Sequence, residues 1–204
     1  METLFFIAIL IMSVVIHEVS HGYMAKFLGD PTAKLAGRLT LNPIPHIDPV
    51  GSIILPLILS LIPHGIIFGW AKPVPYNPYN LKGGKWGPAL VALAGPVSNL
   101  TIAVFFSFII RQASVLGVSP AVVSLSASIV LINTVLCVFN LIPVPPLDGS
   151  KIFFALLPYR LRHIENTLQN NQFIIIIVVL LFAGAIISPA VSFMFTLLTG
   201  LPLA

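Results

Sequence analysis

Residues 17–21 read His-Glu-Val-Ser-His. On a helix, positions i and i+4 lie one above the other on a single face, so both imidazoles can reach one metal ion. Glu18 can lean toward a water on that ion and act as general base in metal-assisted hydrolysis. The bare H-E-x-x-H pattern arises by chance in many sequences, but its setting here gives it weight. It lies inside the apolar run 4–28, where a carboxylate at mid-membrane costs roughly 2.5–3.5 kcal/mol. A pairing role alone leaves that cost unexplained.

Hydrolytic zinc sites use three protein ligands and keep one position for water. Besides Glu18 the acidic residues are Glu2, Asp30, Asp48, Asp148 and Glu165. Asp148 ends the run Asn140-Leu141-Ile142-Pro143-Val144-Pro145-Pro146-Leu147-Asp148-Gly149. Prolines break a helix there, so the backbone can turn a side chain inward, and Gly149 permits an unusual dihedral. Asp48, in Pro45-His46-Ile47-Asp48-Pro49, is the competitor, in a polar loop close to the first helix. Asp148 is the favoured third ligand.

The elements that must position these groups belong to a membrane. Of 204 residues, 57% are hydrophobic and 8% charged, with a mean hydropathy of +1.04; soluble domains carry about 25% charged residues. Several runs reach the roughly 20 apolar residues that a bilayer requires. The expected fold is an all-α polytopic membrane protein with about four transmembrane helices. The whole chain, 1–204, reads as one domain, with a core over 4–157 and a C-terminal interfacial and transmembrane segment over 158–204. Met1 to Leu4 offers no basic leader, so the first run is expected to stay as a helix. The single cysteine, Cys137, excludes an internal disulfide. The net charge of +4 comes mostly from basic residues outside the apolar runs and speaks for orientation in a bilayer, not for nucleic-acid binding.

Clean spanning runs cover 4–28, 86–110 and 121–142, and 173–198 is a further candidate interrupted by Pro189. Residues 150–171 mix basic and apolar groups as an interfacial helix does. The loop at 31–49 contains Arg38-Leu39-Thr40-Leu41, whose alternation suits a short strand. Nine of the ten basic residues follow the first run, lie around 69–85, or come after 150; Arg111 stands alone between two spans. The positive-inside rule places the nine in the cytoplasm. Both ends of 51–68 are then cytoplasmic, and that segment is expected to be re-entrant or shallow. The same topology brings Asp148 to the side of the membrane nearer His17, which lies about 20 Å along a ~30 Å core.

His17-Glu18-Val19-Ser20-His21, Ala94-Gly95-Pro96-Val97-Ser98-Asn99 and the 140–149 run, in that order, resemble the site-2 protease family of intramembrane zinc metalloproteases. GWAKPVPYNP at 69–78 and NPIPHIDPVG at 42–51 are similar to its compact prokaryotic branch. The resemblance covers about residues 10–155. It implies one Zn²⁺ per chain on His17, His21 and Asp148, with Glu18 activating water. It further implies membrane-spanning protein substrates and a prokaryotic inner-membrane location, and the charge placement above expects the site to face the cytoplasm. Asn140 matches a position expected to bind the scissile carbonyl or its oxyanion, with a helix-end cap as the alternative.

Three further residues are candidates for substrate contact. Val74 and Tyr76, in a stretch kept extended by prolines, could clamp an unwound substrate strand by β-addition. His46 could do so too, although a hydrogen bond to Asp48 or to backbone suits it better. Gly95-Pro96 is expected to allow close helix packing, and Asn99 to hydrogen-bond between helices.

A metal-ion transporter would need ionisable groups along several spans, whereas here only the first helix carries them mid-span. Substrate identity and oligomeric state are not encoded in any motif.

Overall fold

The run that carries His17 folds as one uninterrupted helix, α1 (Glu2–Phe27), in the computed structural model, which describes residues 2–61 and 69–203. Lys26 in its last turn suits the negative end of the helix dipole. The helix stops at Gly29, whose φ of +109° a side chain would strain. A short helix, α2 (Thr32–Leu35), follows. Next come a π-helical turn at Pro49–Ile54 and α3 (Leu55–Ser60).

Two long helices come next, α4 (Trp86–Arg111) and α6 (Pro120–Asn140), joined through the one-turn α5 (Ala113–Leu116). Pro120 sits at the first position of α6, where its missing amide costs nothing. Pro143 and the cis Pro145–Pro146 pair keep the chain from continuing α6. It re-enters a helix at α7 (Asp148–Leu156), then α8 (Arg162–Asn170), α9 (Gln172–Leu181) and α10 (Ala183–Thr199).

Three helices among the described residues are long and apolar enough to cross a bilayer, in α1, α4 and α6; a 73° bent pair, residues 159–181, makes a fourth if counted as one span. The protein is an all-helical integral membrane protein. The run 173–198, expected as one span, instead divides at Phe182 into α9 and α10. Pro189 is absorbed inside α10, and the break falls beside Gly184, a weak helix former.

No strand occurs among the described residues. Residues 38–41 are irregular, because Arg38 turns inward and its Nη2 donates to the Lys72 carbonyl at 2.7 Å. Alternation in the sequence there reflects one inward side chain, not a ladder.

α4 is the central helix, packed on α1, α6 and α7, with α10 closing against α6 and α4. α1 and α4 are antiparallel, since His17 meets Asn99 while His21 meets Val91. Ala103 and Ile110 of α4, Val130 of α6 and Phe195 of α10 form one apolar core. The polarity is inverted relative to a water-soluble bundle. Ser13, Asn99, Ser107, Ser126, Asn133 and Thr134 are buried, whereas Leu4, Phe5, Phe105 and Phe108 face outward. Such a surface suits lipid, and the interior polar groups then hold the helices together.

The ends of the segment expected to be re-entrant meet. Trp70 N–H donates to the Gly51 carbonyl (3.1 Å) and Ser52 Oγ to the Trp70 carbonyl (2.8 Å). The indole also lies over Gly51, where a Cβ would stand 2.3 Å from the ring. Chain entering at 51 and leaving at 70 therefore does so at one level. The course of 51–68 between those ends lies in part outside the described residues.

Candidate metal centre

His17 and His21 lie on the face of α1 turned toward α4, with 5% and 9% of their surface exposed. Their rings meet edge to face, centroids 4.6 Å apart. Each Nδ1 is engaged: His17 Nδ1–H donates to Asn99 Oδ1 at 2.6 Å, and His21 Nδ1–H to the Val91 carbonyl at 2.7 Å. In the neutral ring each Nε2 then keeps its lone pair. Both point at Asp148 Oδ2, 3.1 and 3.2 Å away.

Gly95 makes room for the pair. A Cβ there would stand 2.5 Å from ring atoms of both histidines. The glycine expected to bring helices together does so where α1 packs on α4, and the groups it admits are the two imidazoles.

Asp148 opens α7, where a carboxylate also suits the helix dipole. Gly149 holds it in place by close approach. A Cβ would fall 2.3 Å from the Leu141 carbonyl oxygen and 2.5 Å from that of Ile142. Its φ is not positive, so proximity, not an unusual dihedral, demands the glycine. Asp48, the rival acid, is spent elsewhere: it caps the turn at 49–54, accepting from the amides of Val50 and Gly51 at 3.0 and 2.7 Å.

Glu18 faces the loop at 70–76. Its Oε2 accepts the Val74 amide at 2.9 Å. Glu18, both histidines and Asp148 line one cavity of about 630 Å³, which Val74, Tyr76, Asn140 and the start of α9 also wall. Asn140 Nδ2 donates to the Leu136 carbonyl at 3.0 Å. His46 does not line this cavity; it is buried, with Nε2–H donating to the Thr40 carbonyl at 3.0 Å. A second cavity, about 720 Å³ between the N-terminal ends of α1 and α6, is lined by apolar residues and serines. It holds no group for this chemistry.

The far end of the loop is pinned by Asp30. Its Oδ1 accepts from Thr32 N (3.2 Å), Thr32 Oγ1 (2.6 Å) and Asn80 Nδ2 (3.0 Å), and its Oδ2 from the Asn77 amide (2.7 Å). Burial pushes the carboxyl up, but these donors outweigh it and hold its pKa below the usual carboxylate value.

Three acceptor atoms thus converge, mutually within 4.8 Å: Nε2 of His17, Nε2 of His21 and a carboxylate oxygen of Asp148. Two lone pairs against a carboxylate repel unless a cation or protons lie among them. Two imidazoles and one carboxylate are a donor set that suits zinc and leaves a coordination position for water. The residues present fit the ion.

Similarity to known proteins agrees. The sequence pattern of Peptidase family M50 matches residues 113–184. The chain is 39% identical over 175 residues to a Bacillus subtilis protein named "Putative zinc metalloprotease YwhC", covering 83% of this chain and 76% of that one. The chain belongs to peptidase family M50. Rip2 of Mycolicibacterium smegmatis, described in the same words, is 30% identical over 177 residues, or 84% of this chain and 64% of Rip2. Zinc metalloprotease MJ0392 of Methanocaldococcus jannaschii is 27% identical over 161 residues, 78% of this chain but 36% of its own length. The chain therefore spans less than two thirds of these two relatives. No solved structure matches it. Membership of the family carries a zinc metalloendopeptidase activity, and the donor set above suits that ion.

Sequence reasoning passed over the Val74 amide, the Asp30 anchor and Asn133. Backbone donors leave no mark in a sequence. Asp30 sits in an ordinary Gly-Asp-Pro stop signal, and Asn133 showed only as one polar residue in an apolar run.

Proposed function

We propose that the chain is an intramembrane protease, cutting peptide bonds in or near the membrane-spanning segments of other proteins at a site reached by cytoplasmic water. His17, His21 and Asp148 hold one Zn²⁺. When bound, Zn²⁺ supplies Lewis-acid activation of the scissile carbonyl and of the attacking water. Glu18 carries the proton: with Oε2 on the Val74 amide, Oε1 is free to take a proton from water and return it to the leaving amine.

A substrate helix must unwind first, because a helical peptide bond is sterically shielded. The Val74–Tyr76 stretch gives the unwound strand an edge to lie against. Pro73 and Pro75 have no N–H and the Val74 amide is already engaged, so over these residues the edge offers only carbonyl acceptors. Asn140 keeps one N–H beyond its bond to Leu136 and is positioned on the cavity wall to meet the substrate carbonyl or its oxyanion. His46, bonded to Thr40 away from the cavity, serves the loop. The positive-inside rule assigns the segments holding nine of the ten basic residues to the cytoplasm, which supports a cytoplasmic site; the prokaryotic inner membrane is the setting that the family resemblance implies.

The observation that carries this reading is the convergence of three metal donors beside a glutamate on one cavity wall. Cleavage of a synthetic membrane-spanning substrate in proteoliposomes tests it. Wild type should cut in or near the apolar segment, and Glu18→Gln should lose ~10²–10⁴-fold in rate, the range of general-base catalysis. Unimpaired cutting by Glu18→Gln removes Glu18 from the mechanism.

A further inference from the structure

Asn133 lies at the centre of α6 with none of its surface exposed, and Asn99 of α4 is buried as completely. Two amides in an apolar bundle are costly unless every polar atom is satisfied. Here the donors are all used. Asn133 Nδ2 donates to the Ile129 carbonyl (2.9 Å) and to Ser13 Oγ (3.0 Å). Asn99 Nδ2 donates to Asn133 Oδ1 (2.8 Å), with a longer contact of 3.4 Å to the Ser13 carbonyl. Asn99 Oδ1 then takes the Nδ1 proton of His17.

The direction of this chain is not free. A backbone carbonyl can only accept, so the Ile129 carbonyl forces Asn133 to present Nδ2 to it and Oδ1 to Asn99. Asn99 must then turn Nδ2 toward Asn133 and Oδ1 toward His17. Reversing the Asn99 amide would set its oxygen against two acceptors and its N–H₂ against His17. That arrangement would favour the tautomer with the proton on Nε2, which cannot bind a metal. His21 needs no such relay, since the Val91 carbonyl fixes its tautomer directly.

We infer that Asn133, acting through Asn99, is a positioning residue of the metal centre that keeps the His17 proton on Nδ1 and so frees Nε2 as a donor. The inference rests on His17 being a ligand, but its first test does not. Outer partners of metal-bound histidines commonly change metal affinity 10–100-fold when lost.

Nitrogen-15 NMR of histidine-labelled full-length protein, stripped of metal at a pH where the imidazoles are neutral, reads the tautomer. His17 should carry its proton on Nδ1 in wild type and shift toward Nε2 in Asn133→Ala, while His21 stays unchanged. A proton on Nε2 of His17 in wild type, or an unshifted His17 in the variant, overturns the inference. Where Asn133→Ala fails to fold, Asn133→Leu removes the same amide while filling the space and carries the same expected shift, and the wild-type measurement stands regardless.

Chelator competition for zinc then closes a cycle. Asn133→Ala should weaken zinc binding about 10-fold. That loss should vanish in an Asn99→Asp background, because a carboxylate accepts the His17 proton in either orientation. Equal weakening in both backgrounds would mean a structural effect and overturn the relay. A normal tautomer with no zinc bound in wild type would instead reject the metal reading.

Discussion

Gly95 lacks a side chain because two imidazoles occupy the space it would need. Gly95→Ala should therefore push His17 and His21 apart while leaving the helix itself, if anything, better formed. Zinc affinity is expected to fall by at least ~10-fold with no loss of helicity, measured by chelator competition and circular dichroism. Undiminished zinc binding would show that the rings can move aside. At this scale the sequence was most informative where chemistry has a spacing. The i, i+4 histidines and Glu18 stood out at once. The third acid did not, because an aspartate before an apolar helix reads the same as a cap or as a ligand. The proline break and the topology favoured Asp148 without excluding Asp48; Asp48 caps a turn, and Asp148 lies beside both Nε2 atoms.

The loop at 69–82 is the element that lays an amide on Glu18, and it is held from both ends. Trp70 is tied to Gly51 and Ser52, and Asn77 and Asn80 to Asp30. The pKa of Asp30 is lowered in the folded protein, so its stabilisation is complete above the unfolded value of about 3.9. It is lost as pH falls through the lowered folded value. Asp30→Ala should lower the unfolding midpoint at neutral pH, and the gap to wild type should close in strong acid. Thermal unfolding in detergent across pH 2–7 checks it; a gap independent of pH would remove the carboxylate from the account. Proline spacing revealed that Val74–Tyr76 was extended. What the sequence could not reveal was which backbone amides it presents, since those depend on partners far away in the chain.

At the scale of the whole molecule, α1, α4 and α6 form an inverted bundle, lipid-facing outside and hydrogen-bonded within. The antiparallel pairing of α1 with α4 and of α4 with α6 carries Asp148 back to the end of the bundle where α1 finishes. The long spans were legible because apolar runs of bilayer length stand out in the sequence. The break at Phe182 was not, because apolar residues continue through it without a strong stop signal. On the proposed function the helices serve one end: they bring His17, His21 and Asp148 together as three metal donors, with Glu18 on the wall of the same cavity. The most direct test is zinc content per chain in purified protein, by elemental analysis. One zinc per chain is expected in wild type and in Glu18→Gln, with little retained by His17→Ala or Asp148→Ala. Full zinc in Asp148→Ala, or none in wild type purified without chelator, would contradict the account.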